Sequence, residues 1–213
     1  ISSIIMEVGR DTYPDINFLK SVRKICNKEK IVLIFDECTT GFREHYGGLH
    51  MKYRIYPDMA MFGKSIGNGY AITSIIGKKK IMNCFNNTFA SSTFWSEKIG
   101  FVASVATLKK MKKIKSWDKI KEKGALIKKK LLKLADKHKL NMKFTGMDSL
   151  IKFSISSVSD TNLNKFIADE MIKRDFLSGN RLYVSLGHTD KTIIRYIHNM
   201  DIVLKKLKKK FKI

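Results

Sequence analysis

Residues 31–36 read Ile-Val-Leu-Ile-Phe-Asp, an apolar, largely β-branched run closed by a carboxylate. A run without polar alternation belongs to a strand covered on both faces, the usual state of a parallel sheet. Parallel strands need helical crossovers, and the flanking sequence supplies them. Ser3–Glu7 reads as a strand, and 16–26 as an amphipathic helix opened by Pro14-Asp15. Met59–Phe62 and 72–76 read as two further short strands. The alternation predicts an α/β unit with a parallel, doubly wound sheet and its ligand at the carboxyl ends of the strands. Asp36 stands at one such end. Lys64, twenty-eight positions on, stands at the next, between Gly63 and Gly67.

From residue 96 the pattern changes. Helices are expected over 96–113, with a small-residue face of Gly100, Ala103 and Ala106, and over 117–138. A short strand (143–145), a turn at Gly146, a strand (150–156), a helix (161–174), a short strand (182–185) and a helix from about Asp190 follow. This is an α+β unit with its own core, and the boundary is placed near residue 106. His188-Thr189-Asp190 reads as the start of the last helix, with Thr189 or Asp190 as cap, and not as a catalytic dyad.

Composition excludes several classes. A hydrophobic fraction of 44% over 213 residues suits a packed core and not a disordered chain. No apolar run approaches the roughly 20 residues of a membrane span, and no cleavable leader is recognisable. Three cysteines with no CxxC pairing suit a reducing compartment, so a cytoplasmic location is expected. The net charge of +23 invites a nucleic-acid reading. Against it, all but seven of the 42 basic residues are lysine, and the lysine-dense stretches carry apolar residues at helical spacing. The charge therefore lies on solvated helix faces, and no specific nucleic-acid partner is expected. The histidines lack metal-ligand spacing.

The two strand-end residues point to chemistry. A lysine can form a Schiff base with an aldehyde, and a carboxylate can keep a pyridine nitrogen protonated so that the ring accepts electrons. Those are the two parts a pyridoxal 5'-phosphate enzyme needs from its sheet. Glu37 points to the other side of the strand end and reads as a structural hydrogen-bond acceptor. Gly67-Asn68-Gly69 reads as a turn that lets backbone pass close to the lysine.

Three segments, 31–43, 56–69 and 87–97, with Gly179-Asn-Arg-Leu-Tyr-Val-Ser-Leu-Gly-His-Thr-Asp190 near the carboxyl end, resemble the class-III (subgroup II) aminotransferases. Their glutamate-1-semialdehyde aminotransferase branch is the most similar. The resemblance covers almost the whole chain. It implies an aminotransferase type I fold, in which 1–106 is the carboxyl-terminal portion of the large cofactor domain and 107–213 the small α+β domain. It implies pyridoxal 5'-phosphate as cofactor, Lys64 as Schiff-base lysine and general base, and Asp36 as partner of the pyridinium nitrogen. A lysine in that role is expected to be desolvated. Cys38 occupies a position usually held by valine, packed on the cofactor ring. Thr39 corresponds to a polar group near the cofactor 3′ oxygen, and Thr88 to a threonine that reaches the cofactor phosphate of a neighbouring subunit.

The implied activity is transfer of an amino group between a small-molecule amino donor and a carbonyl acceptor, in a homodimer with shared active sites. Two alternatives stand beside it. One is intramolecular exchange, as in glutamate-1-semialdehyde 2,1-aminomutase; the other is a non-catalytic remnant or split subunit. Thr93-Phe94-Trp95 stands where the true mutase has small residues, which favours the transaminase. Glu7-Val8-Gly9-Arg10 departs from the family's usual Glu-Pro. No segment matches the family's amino-terminal half with its Gly-Ser/Thr-Glu-Ala phosphate turn. The chain therefore reads as the carboxyl-terminal part of a longer enzyme, inactive by itself and with an apolar sheet edge exposed. Arg10 and Arg43 are the candidates for a substrate carboxylate.

Overall fold

The apolar run forms the strand its composition predicts. In the computed structural model, which describes residues 1–89, 91, 93 and 96–213, β2 (Val32–Asp36) lies inside a four-stranded sheet. The sheet order is β1-β2-β3-β4, with β1 Ser3–Glu7, β3 Met59–Phe62 and β4 Ser74–Gly77. The chain divides into two compact units, Ile1–Asp118 and Lys119–Ile213.

In the first unit β1, β2 and β3 are parallel, and Leu33 and Phe35 are wholly buried. Helix α1 (Ile16–Lys28) makes the crossover from β1 to β2 and buries Leu19 and Cys26. Its N-terminus is capped by Asp15, whose side chain accepts from the Asn17 and Phe18 N–H groups. The register aligns Glu7 with Asp36, and Asp36 with Met61, so three carboxyl ends lie side by side.

The fourth strand departs from the all-parallel expectation: β4 runs antiparallel to β3. The reason is the link. Residues 63–73 contain only a 3₁₀ turn, Lys64–Ile66, and a parallel return needs a crossover of a dozen residues or more. Short helices α2 (Leu49–Tyr53) and α3 (Lys79–Met82) and the long α4 (Lys98–Ile114) complete this unit. Gly100 lets α4 settle on the chain before β4, since a Cβ there would stand 2.6 Å from the Ala71 carbonyl oxygen. Apolar side chains are exposed on both outer strands and on α4. Ile5 on β1, Ile75 and Ile76 on β4, and Ile99, Phe101, Val102 and Val105 on α4 are all exposed.

The amino-terminal ends of the sheet are tied by a charge cluster. Asp58, at the foot of β3, accepts from the Leu33 N–H (2.8 Å), Arg23 of α1 (2.8 Å) and Lys78 after β4 (2.6 Å). Burial works against this carboxylate, but the hydrogen bonds from Lys78, Leu33 and Arg23 outweigh it and hold its pKa below the ordinary value.

In the second unit an antiparallel sheet of order β5-β6-β7 (Met142–Phe144, Leu150–Ile155, Arg181–Tyr183) packs with α5 (Ser116–His138), α6 (Asp160–Ile172) and α7 (Asp190–Phe211). Phe153, Leu163, Ile167, Met200, Val203 and Leu207 are among its wholly buried side chains. Thr189 caps α7 by accepting from the Thr192 N–H, as its position predicts. No helix among the described residues is long and apolar enough to cross a membrane.

Glu170 fastens α6 to α7. It accepts from Lys173 (2.7 Å) and Arg174 (3.1 Å) of its own helical stretch and from Lys206 of α7 (2.7 Å). Hydrogen bonds from Lys173 and Lys206 bring its pKa down to about 2 against some burial cost. A depressed carboxylate stabilises fully above its ordinary pKa, and the contribution fades as pH falls from there toward about 2. Glu170→Gln is expected to cost about 1 kcal/mol at neutral pH, because the lysines are half exposed and screened. Urea unfolding at pH 7 and again near pH 2 checks this, and the difference from the parent should shrink at the acid end.

Candidate active site

Asp36 ends β2 half-buried, and its Oδ1 accepts the Cys38 N–H at 2.9 Å, which turns the chain sharply after the strand. That turn brings Thr39 back over the sheet, buried at 4% exposure. One strand over, β3 ends at Phe62, and Gly63 leads into the 3₁₀ turn that begins with Lys64. The two strand ends meet. Lys64 Nζ donates to Thr39 Oγ1 at 3.0 Å, and Cys38 Sγ lies 3.5 Å from where a Cβ on Gly63 would stand. Four of the predicted site residues, Asp36, Cys38, Thr39 and Lys64, are thus neighbours.

Lys64 itself adopts φ 42°, in the left-handed region that non-glycine residues seldom occupy. Such a backbone costs on the order of 1 kcal/mol or more, and Lys64 shares it with nine other non-glycine residues of the described chain. The turn after it is equally tight. A Cβ on Gly67 would stand 2.2 Å from the Tyr70 carbonyl oxygen, so only glycine fits, and Asn68 and Gly69 both have positive φ. Lys64 is exposed. The desolvation expected around it is not supplied by the described residues.

The Cys38 thiol is pushed above its ordinary pKa, first by burial and then by its hydrogen bond to Asp36 and that group's charge, with Lys64 pulling the other way. It stays protonated and behaves as a small apolar surface. Arg43 donates from Nε to the Thr39 carbonyl oxygen at 2.6 Å and so steadies the Thr39 loop. Arg10 reaches Glu7 at 3.4 Å.

Glu37 takes the structural role its position suggests. It is wholly buried, and its Oε1 accepts from the His50 backbone N–H (2.9 Å) and meets His50 Nδ1 (2.8 Å), while Oε2 accepts from Thr40 Oγ1. This knot fixes the loop that begins with Asp36 against α2. His50 carries no sequence signal for the role, because its partner lies thirteen residues earlier with no helical or strand periodicity between them. Asp58 was equally silent, since its partners come from three other elements.

Thr88 lies apart. It is exposed at the end of a 3₁₀ turn, and its hydroxyl donates to the Cys84 and Phe85 carbonyl oxygens, both at 3.3 Å. Among the described residues no hydrogen bond joins it to Asp36, Cys38, Thr39 or Lys64. Phe94 and Trp95, on which the distinction from a mutase rests, lie outside the described residues.

The class-III aminotransferase family model matches residues 3–199. The chain belongs to the class-III aminotransferases. Among the relatives of this class-III chain, glutamate-1-semialdehyde 2,1-aminomutase of Wigglesworthia glossinidia brevipalpis is 31% identical over 215 residues, covering 92% of this chain and 49% of that protein. A 3-aminobutyryl-CoA aminotransferase of Cloacimonas acidaminovorans is 33% identical over 134 residues, or 62% of this chain and 32% of that protein. The FumI protein of Sphingopyxis sp. MTA144, solved in its PLP internal aldimine form, superposes with a TM-score of 0.92 at 19% identity, covering 99% of this chain and 53% of that one. The fold is therefore shared along the full length of this class-III chain. The chain spans about half the length of the first of these relatives, or less.

The residues present fit the family's cofactor, pyridoxal phosphate. The donor set comprises one carboxylate and one primary amine at the ends of adjacent strands, with an uncharged thiol, Cys38, beside Gly63. Asp36 would hold the ring nitrogen, Lys64 the aldehyde carbon, and Cys38 a ring face.

Proposed function

We propose that this chain is the lysine-bearing part of a pyridoxal phosphate-dependent aminotransferase, which moves an amino group from a small-molecule donor to a carbonyl acceptor. The observation that carries the reading is the Lys64–Thr39 hydrogen bond, which sets the strand-end lysine beside the loop that Asp36 begins. When bound, the cofactor supplies an aldehyde and an electron-accepting ring. Asp36, as a carboxylate, holds a proton on the ring nitrogen. Lys64 Nζ would be the amine that attaches to the aldehyde and, when free, the base that holds and moves the proton of the substrate carbon. Thr39 Oγ1 accepts from the amine and aims it. Lys64 is exposed, so water must be excluded by surface that the described residues do not provide.

That need supports a second copy of the chain as partner. Thr88 is exposed and, among the described residues, bound only to its own turn, so its hydroxyl can serve the cofactor phosphate of a neighbouring subunit. The exposed apolar residues of α4 supply area for such a contact. The first unit then corresponds to part of the large cofactor domain and the second to the small domain. Cys26, Cys38 and Cys84 are all free, which supports a reducing, cytoplasmic setting.

The test uses the longest natural polypeptide that contains this sequence, with pyridoxal phosphate added. Saturable visible absorption and amino transfer between paired donors and acceptors are expected, and Asp36→Asn is expected to lower kcat by about 10²–10³-fold. Turnover equal to the parent in Asp36→Asn would overturn the assignment. The aminomutase relative favours a second reading, intramolecular exchange, and product formed from a single substrate without any acceptor would select it.

A further inference from the structure

The second unit has a hollow of about 320 Å³ bounded by the segment 176–183, by α5 and by the first half of α7. Its apolar lining includes Ile127, Phe176, Leu182 and Ile193. None of it is used by the lysine site.

Tyr196 also lines this hollow and is only 5% exposed. Its O–H meets no acceptor among the described residues: the Ser178 hydroxyl lies close enough to donate to the tyrosine oxygen, and also reaches the Gly179 carbonyl oxygen at 3.4 Å. A buried hydroxyl left unmatched is costly, and such groups mark a missing acceptor. Burial pushes the Tyr196 pKa up to about 12, so the group stays protonated and is a donor.

His188 supplies a second donor. Its Nδ1 accepts the Ser185 N–H at 3.0 Å, which leaves the ring proton on Nε2. Burial, with Lys123 nearby, pushes its pKa down, so the ring is neutral. No aspartate or glutamate lines the hollow among the described residues, and Arg181 does; Lys123, nearby, is paired with Asp190 at 3.4 Å. The lining thus combines the Tyr196 and His188 donors with the adaptable hydroxyls of Ser178 and Thr192, the Arg181 guanidinium and an apolar wall, and holds no carboxylate.

We propose that this hollow binds a small monocarboxylate with an aromatic or branched aliphatic body. The carboxylate accepts from Tyr196 Oη and from His188 Nε2, and the body packs on Phe176, Leu182 and Ile193. A cation would find no counter-charge there, and a neutral hydrocarbon would leave the tyrosine hydroxyl unmatched. The volume lies at the small end for ligand pockets, which limits the body to about one ring.

The experiment is a titration of the full chain, with isoleucine methyls labelled for NMR, by 3-phenylpropionate and by phenethylamine. The acid is expected to give saturable shifts at Ile127 and Ile193, and the amine at least about tenfold weaker ones. Tyr196→Phe keeps the ring and its contact with Phe176, so it is expected to fold; it should weaken the acid by about five- to tenfold. Ile66, two residues from Lys64, reports separately on the lysine site. Three results would overturn the proposal: no saturable shift at Ile127 and Ile193, shifts confined to Ile66, or acid binding unchanged in Tyr196→Phe. An amine that binds as well as the acid would reject the carboxylate class.

Discussion

Lys64→Ala is expected to lower amino-transfer turnover by about 10²–10⁴-fold or more in the holoenzyme, because the proton carrier is lost together with the covalent anchor. Lys64→Arg keeps the charge but cannot attack an aldehyde, so it should fail almost as badly. The decisive comparison is with stability. Lys64 is held at φ 42°, and a non-glycine residue there costs on the order of 1 kcal/mol or more. Lys64→Gly is therefore expected to raise the unfolding midpoint while activity disappears. Partial recovery of turnover by added methylamine would show that only an amine at this position is missing. If Lys64→Ala retained parental turnover, Lys64 would be a surface lysine and the proposed function would fall.

The sequence carried the site's chemistry further than its support. Asp36 and Lys64 were legible because each stands at the end of an apolar strand, a position with local signals: a β-branched run before one, glycines around the other. β1 and β3 came out with their expected bounds for the same reason. The direction of β4 was not legible from residues 72–76, since strand composition says nothing about pairing; only the shortness of the 63–73 link decides it. Glu37 could be assigned a structural role from alternation past Asp36, but its partner His50 could not be named. Tyr196 gave no signal at all. It occupies a buried position on the apolar stripe of α7, where a tyrosine and a phenylalanine look alike until the surroundings of the hydroxyl are known.

Asp58→Ala is expected to destabilise the first unit by about 3–5 kcal/mol, the cost of leaving a buried partner charge uncompensated. The side chain of Asp58 is 9% exposed and that of Arg23 only 15%, so water cannot replace the lost ion pair cheaply. Lys78, 60% exposed, can turn to solvent and contributes less. The Leu33 N–H would also lose its 2.8 Å acceptor inside the sheet. Asp58→Asn keeps an oxygen for Leu33 but not the charge, so its cost should be smaller, about 1–3 kcal/mol. The pH dependence follows from the depressed carboxylate: the stabilisation is complete above the unfolded pKa and is lost as pH falls through the lower, folded value. Urea unfolding of the three proteins from neutral pH downward checks both claims, with the gap between parent and Asp58→Ala narrowing in acid. Because Asp58 sits at the opposite end of β3 from Lys64, binding of pyridoxal phosphate by Asp58→Asn in mild conditions should match the parent. Loss of cofactor binding without loss of stability would place Asp58 in the chemistry and not, as its contacts argue, in the frame that holds β2 and β3 in register.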